Sequence, residues 1–299
     1  MTKKTHHIYG ESPALQEVLR TSNLVAITDV TALITGEAGT GKELLARVIH
    51  QKSKRGNKTF LSVDCSSLNT SEIDALLFEH QTNVDELNAV QGGTLFLDEV
   101  AELPLPSQSQ LLNFLENTSV NNDVRIIAAS KHNLEDLVLS GDFRDDLFYR
   151  LNIVPLDLPP LRKRCSDLNI LIDAFFRDLV ASYKMPPPNL SKATVNKLSH
   201  YPWPGNIREL HSFCERIFIL MSGQTVDVSN LPANIVDYRP KDSNTFVLPA
   251  SGIDINKLEC NLIEQALSNT QGNKSHAARL LGLSRDKFLY RLKKYTISD

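Results

Sequence analysis

The sequence predicts an α/β core with a parallel sheet, followed by an all-helical second part, and three observations lead there. Short β-type runs alternate with helical patterns from Thr31 to about Leu158, a glycine-rich loop joins the first run to the first helical run after it, and the β-type runs stop after Pro159-Pro160. Alternation of this kind suits a parallel sheet, because each connection must cross back over the sheet before the next strand can start. With 299 residues the chain also exceeds the usual size of a single hydrophobic core, so two or three domains are expected.

The β-type runs are Thr31–Thr35, Phe60–Asp64, Thr94–Leu97, Arg125–Ser130 and Ile153–Leu156. From Asp167 to about Leu231 the pattern is helical, with breakers at Pro186-Pro187-Pro188 and Pro202–Gly205, which suits a small helical lid. The polar stretch Asp237–Thr245 reads as a linker, and Ile253–Asp299 is helical. The expected divisions are an α/β core over 8–163, a lid over 164–236, a linker over 237–252 and a C-terminal domain over 253–299.

Composition excludes several classes of function. Hydrophobic residues make up 41% and charged residues 22%, and apolar stretches such as Gly93–Leu97 and Ile217–Met221 are too short to cross a bilayer. The N-terminus has no apolar segment behind its lysines, so a cytoplasmic protein with no membrane partner is expected. Four scattered cysteines and eight histidines lack ligand spacing, which argues against structural zinc or a disulfide framework. The net charge of −3 is unevenly spread: Lys274, Arg279, Arg285, Lys287, Arg291, Lys293 and Lys294 face only Asp286 and Asp299 near the C-terminus. Such a tail fits a polyanion partner or a solvated helix face, and charge alone leaves both readings open.

The first run leads into Gly36-Glu37-Ala38-Gly39-Thr40-Gly41-Lys42-Glu43, and a helical pattern over Leu44–His50 follows. This is a phosphate-binding loop: glycines let backbone amides wrap the phosphates, the helix N-terminus faces them, and Lys42 reaches the β and γ oxygens of ATP or ADP. Glu43 stands where serine or threonine would ligate Mg²⁺, so the metal must lean on another residue. Gly92-Gly93-Thr94-Leu95-Phe96-Leu97 ends in Asp98-Glu99. Asp98 would hold Mg²⁺, and Glu99 would orient or deprotonate the attacking water.

At the other end, Lys274–Leu292 has small and apolar Ala277, Ala278 and Leu281 set against Phe288 and Leu292 across a turn at Gly282. Ser284 is a good N-cap for the second helix, which would offer Arg285, Lys287, Tyr290 and Arg291 to the major groove of double-stranded DNA. The preceding helix carries a stripe of Leu258, Leu262, Ile263, Ala266 and Leu267 at helical spacing.

The loop with its Glu43, the Gly92–Glu99 strand, Phe143–Leu151, Leu158-Pro159-Pro160-Leu161-Arg162 and Tyr201–Leu210 together resemble the AAA+ domain of bacterial enhancer-binding proteins, the NtrC-like sigma-54 activators. The C-terminal segment resembles the Fis-type helix-turn-helix that ends many of them. The resemblance implies that Arg144 and Arg150 are arginine fingers reaching a neighbouring subunit's nucleotide in a AAA+ ring, against a plainer reading as surface salt bridges. It implies that Arg208 is a sensor of phosphate state on the lid, against simple packing on Trp203. It further implies a C-terminal dimer on a palindromic site, with the stripe as part of the dimer and part of the domain core, and RNA polymerase holoenzyme as a partner.

Three departures modify that expectation. Family members carry a GAFTGA loop that contacts the sigma factor, whereas here Leu77-Phe78-Glu79-His80 is followed by a shortened connection from Gln81 to Gln91. The family's asparagine switch is replaced by Asp64, whose carboxylate near Glu99 would repel it or force a proton onto the pair. The first sensor, usually A-T-N, reads Ala129-Ser130-Lys131. The expectation is a DNA-binding regulator that keeps nucleotide binding, oligomerises, hydrolyses ATP weakly and does not work by the usual sigma-54 route. The alternatives are an ATP-hydrolysing sigma-54 activator and a AAA+ ATPase acting on another client while tethered to DNA.

Overall fold

The computed structural model describes residues 7–67, 90–121, 123–238, 252–270 and 272–295. The chain divides into two compact units, one ending at Tyr238 and the other beginning at Arg239.

The first unit opens with α1 (Pro13–Ala26), β1 (Ala32–Thr35), α2 (Lys42–Gln51), β2 (Phe60–Asp64) and β3 (Thr94–Asp98). It continues through α3 (Leu105–Asn121), β4 (Arg125–Ser130), α4 (Leu134–Ser140), α5 (Asp145–Leu151) and β5 (Val154–Asp157). The five strands form one parallel sheet in the order β2-β3-β4-β1-β5. Alternate side chains leave a strand on opposite faces, and the two faces build two cores. Leu33, Leu95, Leu97, Ile126 and Ala128 pack on one side with Leu111, Phe114 and Leu147 from α3 and α5. Ala32, Ile34, Phe96, Ile127 and Ala129 pack on the other with Leu15, Val25, Leu45 and Ile49 from α1 and α2. Burial on both faces explains why β3 and β4 read as unbroken apolar runs rather than as an alternation.

All five strands point the same way, so their C-terminal ends share one edge of the sheet. The loop after Thr35, the Asp98-Glu99 pair after β3 and Lys131 after β4 all leave from that edge, where open parallel sheets place their ligands.

The lid follows as α6 (Leu168–Tyr183), α7 (Lys192–His200), α8 (Asn206–Leu220) and the short α9 (Ala233–Val236) around a core that includes Leu171, Phe176, Trp203, Leu210 and Phe218. The sequence reading had β structure stop after Pro160, but the lid contains a two-residue parallel pair, β6 (Asn189–Leu190) with β7 (Thr225–Val226). Two residues are too few to show a periodicity. The polar stretch read as a linker from Asp237 starts late as well: Tyr238 packs edge-to-face on Tyr201 and its carbonyl accepts from Lys197 Nζ, so Asp237 and Tyr238 end the lid. The remainder of that stretch lies outside the described residues.

Core and lid are tied by a buried carboxylate. Asp167 accepts from the amides of Glu11 and Ser12 at 2.7 and 2.8 Å and from Ser12 Oγ at 2.7 Å. Ser12 stands at the N-cap of α1 without capping it by its own side chain, and Pro13 follows, so Asp167 supplies the negative end that this terminus favours.

The second unit is three helices: α10 (Ile255–Asn269), α11 (Lys274–Leu280) and α12 (Arg285–Lys294), N-capped by Asp254, Asn273 and Ser284. Its core is Ile263, Ala266, Ala277, Ala278, Phe288 and Leu292, with Leu281 packed against it. Gly282 makes the turn at φ +65°.

Asp167→Ala should destabilise the first unit by about 3 kcal/mol, because three donors lose a buried acceptor at once. Urea unfolding followed on the lid's Trp203 would measure it, and a loss below about 1 kcal/mol would show that the start of α1 is not held to the lid by this carboxylate.

Candidate functional site

The loop between β1 and α2 is folded around its backbone. Gly41 is the N-cap of α2 and sits at φ +100°, while Gly39, at φ +77°, lies so close to the lid that a Cβ there would run into the Gly205 carbonyl. Only glycine meets both demands at position 39. The loop, β-strand ends and lid enclose a cleft of about 520 Å³ lined by, among others, Gly39, Lys42, Asp98, Glu99, Lys131 and Arg208.

Lys42 is buried, 6% exposed, and its ammonium lies 3.1 Å from Glu99 Oε1 while donating to the Gly36 carbonyl at 3.0 Å. Glu99 Oε2 accepts from the amide of Lys131 at 2.9 Å. Glu99 itself sits at φ +51°, a left-handed conformation that a non-glycine residue adopts at some cost and that turns its carboxylate toward Lys42. Asp98 is half-buried and accepts from the Glu99 amide at 3.1 Å. Burial pushes its carboxyl above the usual range, with Lys42 opposing and Glu99 adding to the rise.

Asp64 lines the same cleft as Asp98 and Glu99. Its carboxylate accepts from Ser66 N at 3.0 Å and Ser66 Oγ at 2.7 Å, and its neighbour across the ladder is Asp98. The aspartate folds back on its own turn because a local hydroxyl and amide satisfy it more closely than anything across the cleft. Lys131 lines the cleft, yet its ammonium pairs with Glu102 at 2.8 Å, which raises the lysine pKa and lowers that of Glu102. Ser130 is fully buried and bonds to the carbonyl and amide of His132 rather than facing the cleft. Glu43 pairs with Arg47 one turn along α2.

Arg208 lines the cleft from α8, is exposed, and its guanidinium has no hydrogen-bonding or ionic partner among the described residues, so it does not pack away on Trp203. Behind it stands a set of contacts that sequence reading missed. Arg162 holds Glu37 through two bonds at 2.7 and 2.5 Å, and Asn206 at the start of α8 donates to Glu37 Oε2 and to the Ala38 carbonyl at 3.2 and 3.0 Å. The sign available in the sequence was Arg162 following Pro159-Pro160, a cation on the segment leading from sheet to lid.

Arg144 and Arg150 are not in this cleft. Arg144 is held by Asp146 and Ser109, and Arg150 donates to the Leu115 carbonyl beside a second depression lined by Leu112, Tyr149 and Ile153. In the second unit Ser284 caps α12, accepting from Lys287 N at 3.4 Å, and Arg285, Lys287 and Tyr290 are exposed. Arg291 is paired with Glu259 of α10 at 2.9 Å, which joins two helices of that unit. In the stripe, Ile263 and Ala266 are buried, Leu258 and Leu267 are half-buried, and Leu262 is exposed. The Leu77–His80 motif and the connection up to residue 89 lie outside the described residues.

Comparison with known proteins matches three families in succession: Sigma-54 interaction domain over residues 8–157, AAA+ ATPase lid domain over 162–246, and Bacterial regulatory protein, Fis family, over 255–295. The DNA-binding transcriptional regulator NtrC of Azospirillum brasilense is 35% identical over 324 residues, covering 93% of this chain and 67% of its own. Regulatory protein AtoC of Escherichia coli is 34% identical, covering 97% and 68%. The crystal structure of NtrX from Brucella abortus in complex with ATP superposes with a TM-score of 0.73 at 31% identity, over 97% of this chain and 70% of that one.

The Glu37–Arg162 pair makes stability depend on pH. Arg162 first, and Asn206 after it, hold the Glu37 carboxyl at about 2, below its ordinary 4.5. A depressed carboxylate stabilises the fold fully above its unfolded-state value and loses that contribution as pH falls through the folded value. The stability gap between the unmodified protein and Glu37→Gln should therefore be constant above about pH 5 and close as pH approaches 2. Urea titrations at pH 7, 4 and 2.5 would check this, and a gap that persists at the lowest pH would remove the pair as its source.

Proposed function

The chain belongs to the NtrC-like family that carries the sigma-54 interaction domain, and from that premise we propose that it is a DNA-binding transcription regulator whose AAA+ domain binds ATP or ADP. The observation that carries the nucleotide reading is the cleft at the C-terminal edge of the sheet, where a glycine-rich loop, the buried Lys42 and Arg208, which has no partner among the described residues, converge. The likeness to an ATP complex of NtrX supports it.

In this reading the phosphates take Lys42 from Glu99, since an ammonium shared between a carboxylate and a carbonyl can turn to a more highly charged partner. Arg208 meets them from the lid. Mg²⁺ ordinarily binds through one or two carboxylates together with substrate phosphates, and the half-buried Asp98, which lines the cleft at the end of β3, fits as its protein ligand. The ion would neutralise charge on the bound phosphates. Glu99, once released by Lys42, is the group placed to take a proton from water, though the Lys131 amide still holds its other oxygen. Asp64 and Lys131 stand where the family has neutral amides; Asp64 is bound to Ser66 and Lys131 to Glu102, so neither of these two positions offers a neutral amide to that water, and turnover should be slow. Arg144 and Arg150 would act on a neighbouring protomer's nucleotide, which requires Asp146 to release Arg144.

The C-terminal unit would bind a palindromic site as a dimer, through Arg285, Lys287 and Tyr290 on α12, with the exposed Leu262 and Ile255 on α10 available for pairing. Arg291 would reach DNA only by giving up Glu259. The regulator would not use the usual sigma-54 route. That reading rests on sequence: no Gly-Ala-Phe-Thr-Gly-Ala stands between Asp64 and Thr94. The alignment with NtrC runs over 324 positions against 299 residues here, which leaves positions of that relative without a counterpart. The competing reading, an ATP-driven sigma-54 activator, is favoured by the Sigma-54 interaction domain match over 8–157.

Lys42→Ala should lower nucleotide affinity below detection in calorimetry with Mg²⁺, and absence of binding by the unmodified chain would overturn the nucleotide reading. Removing residues 253–299 should abolish site-specific DNA binding measured by gel shift. Run-off transcription with each purified holoenzyme, with and without ATP, tests the route: ATP-dependent open complexes with the sigma-54 enzyme would establish the competing reading.

A further inference from the structure

Three consecutive carbonyls of the loop, those of Ala38, Gly39 and Thr40, are taken from the lid side. Asn206 Nδ2 donates to Ala38 O at 3.0 Å, the amides of Ile207 and Arg208 to Gly39 O at 2.9 and 3.3 Å, and Arg164 Nη2 to Thr40 O at 3.3 Å. The Glu37 carboxylate is gripped by Arg162 and Asn206 as described, and the Glu37 carbonyl is used within the loop by Thr40. The amides of Gly39 and Gly41 find no acceptor among the described residues.

In a trans peptide the carbonyl of one residue and the amide of the next point in opposite directions. Holding the carbonyls of Ala38 and Thr40 toward the lid therefore turns the amides of Gly39 and Gly41 away from it. Asn206 is itself held firmly. Its Oδ1 accepts from Leu161 N at 2.8 Å, it is fully buried, and its backbone sits at φ +52°, a region that asparagine tolerates better than most residues. Arg164 is 1% exposed and has two further guanidinium nitrogens without a partner, so its burial is sustained for the contacts it does make, to Thr40 and to the field of Asp167.

We propose that Arg162, Arg164 and Asn206 are positioning residues that orient the loop's amides for an anion, so that phosphate affinity depends on where the lid stands. The proposal rests on the nucleotide reading above and adds a mechanism to it. The first turn of α8 holds the loop while its next residue, Arg208, enters the cleft, so one displacement of that helix would withdraw the cation and release the Ala38 and Gly39 carbonyls together. Sensing and cradling would then be a single rigid motion.

The test uses the full chain with ADP and Mg²⁺ as probe. Glu37→Gln, Arg162→Gln and the double variant are titrated by calorimetry and by the emission of Trp203, the only tryptophan in the chain. Each single variant should weaken ADP binding by about tenfold, the size expected when a charged hydrogen bond is lost. The double variant should be no weaker than either single, because both remove the same clasp. The Trp203 response to ADP should shrink in parallel while the melting temperature without nucleotide moves by a few degrees at most.

Asn206→Asp provides a second route. It keeps the acceptor for Leu161 and the tolerance for positive φ while deleting the donor to Ala38 and to Glu37 and setting a carboxylate against both, and it should also weaken ADP binding by about tenfold or more. Unchanged affinity in these variants, or single-variant losses that multiply in the double, overturns the proposal while leaving the nucleotide reading intact. Failure of the unmodified chain to bind ADP overturns the nucleotide reading itself.

Discussion

The loop from Gly36 to Gly41 must satisfy its carbonyls on one side if its amides are to be available on the other. An isolated glycine-rich turn has no reason to hold such an arrangement, since each glycine populates both hands of the backbone and loses much freedom when fixed. The rest of the first unit supplies the restraint. β1 is buried in the middle region of the sheet and fixes where the loop starts, α2 fixes where it ends, and the lid closes over its outer face through Asn206, Ile207 and Arg208. Asp167 in turn keeps the start of the lid against α1. The chain of constraint runs from an apolar sheet to a polar loop by way of a few buried hydrogen bonds.

Charge in the cleft is arranged by the same economy of partners. Lys42 is committed to Glu99, Lys131 to Glu102, Glu43 to Arg47 and Asp64 to Ser66, which leaves Arg208 as the cation without a partner among the described residues. Exposed pairs such as Glu43–Arg47 contribute little to stability. The Lys42–Glu99 pair is different in kind: both groups are largely buried, so each would be costly to leave alone in a site of low dielectric. A ligand that takes Lys42 must therefore also provide for Glu99.

Much of this was readable beforehand. Every strand of the five-stranded sheet shows in the sequence within a residue of its observed ends, because these strands are short β-type runs bounded by turn residues and the central ones are apolar throughout. The phosphate loop and the Asp98-Glu99 terminus were readable because their chemistry requires particular residues at fixed spacing. The clasp was not: Glu37, Arg162 and Asn206 are 125 and 169 residues apart in the pairs they form, and nothing local marks a side chain that will meet another at that distance. The partner of Asp64 was hidden for a related reason: register sets the residue beside Asp98 at the cleft, but its carboxylate is taken by the amide and hydroxyl of Ser66, two residues on. The pairing of Arg291 with Glu259 could not be read either, because the two stand on different helices.

The small core of the C-terminal unit, six buried residues among those described, has a consequence for the cell. A three-helix fold of this size lies near the limit at which one hydrophobic cluster can keep a chain folded, and such units usually draw further stability from association. Among the described residues Ile255 and Leu262 stand on its surface, 72% and 42% exposed. A reader of DNA that folds more completely when it pairs fills its sites more steeply than in proportion to its abundance. The number of copies per cell would then act as an input signal in its own right.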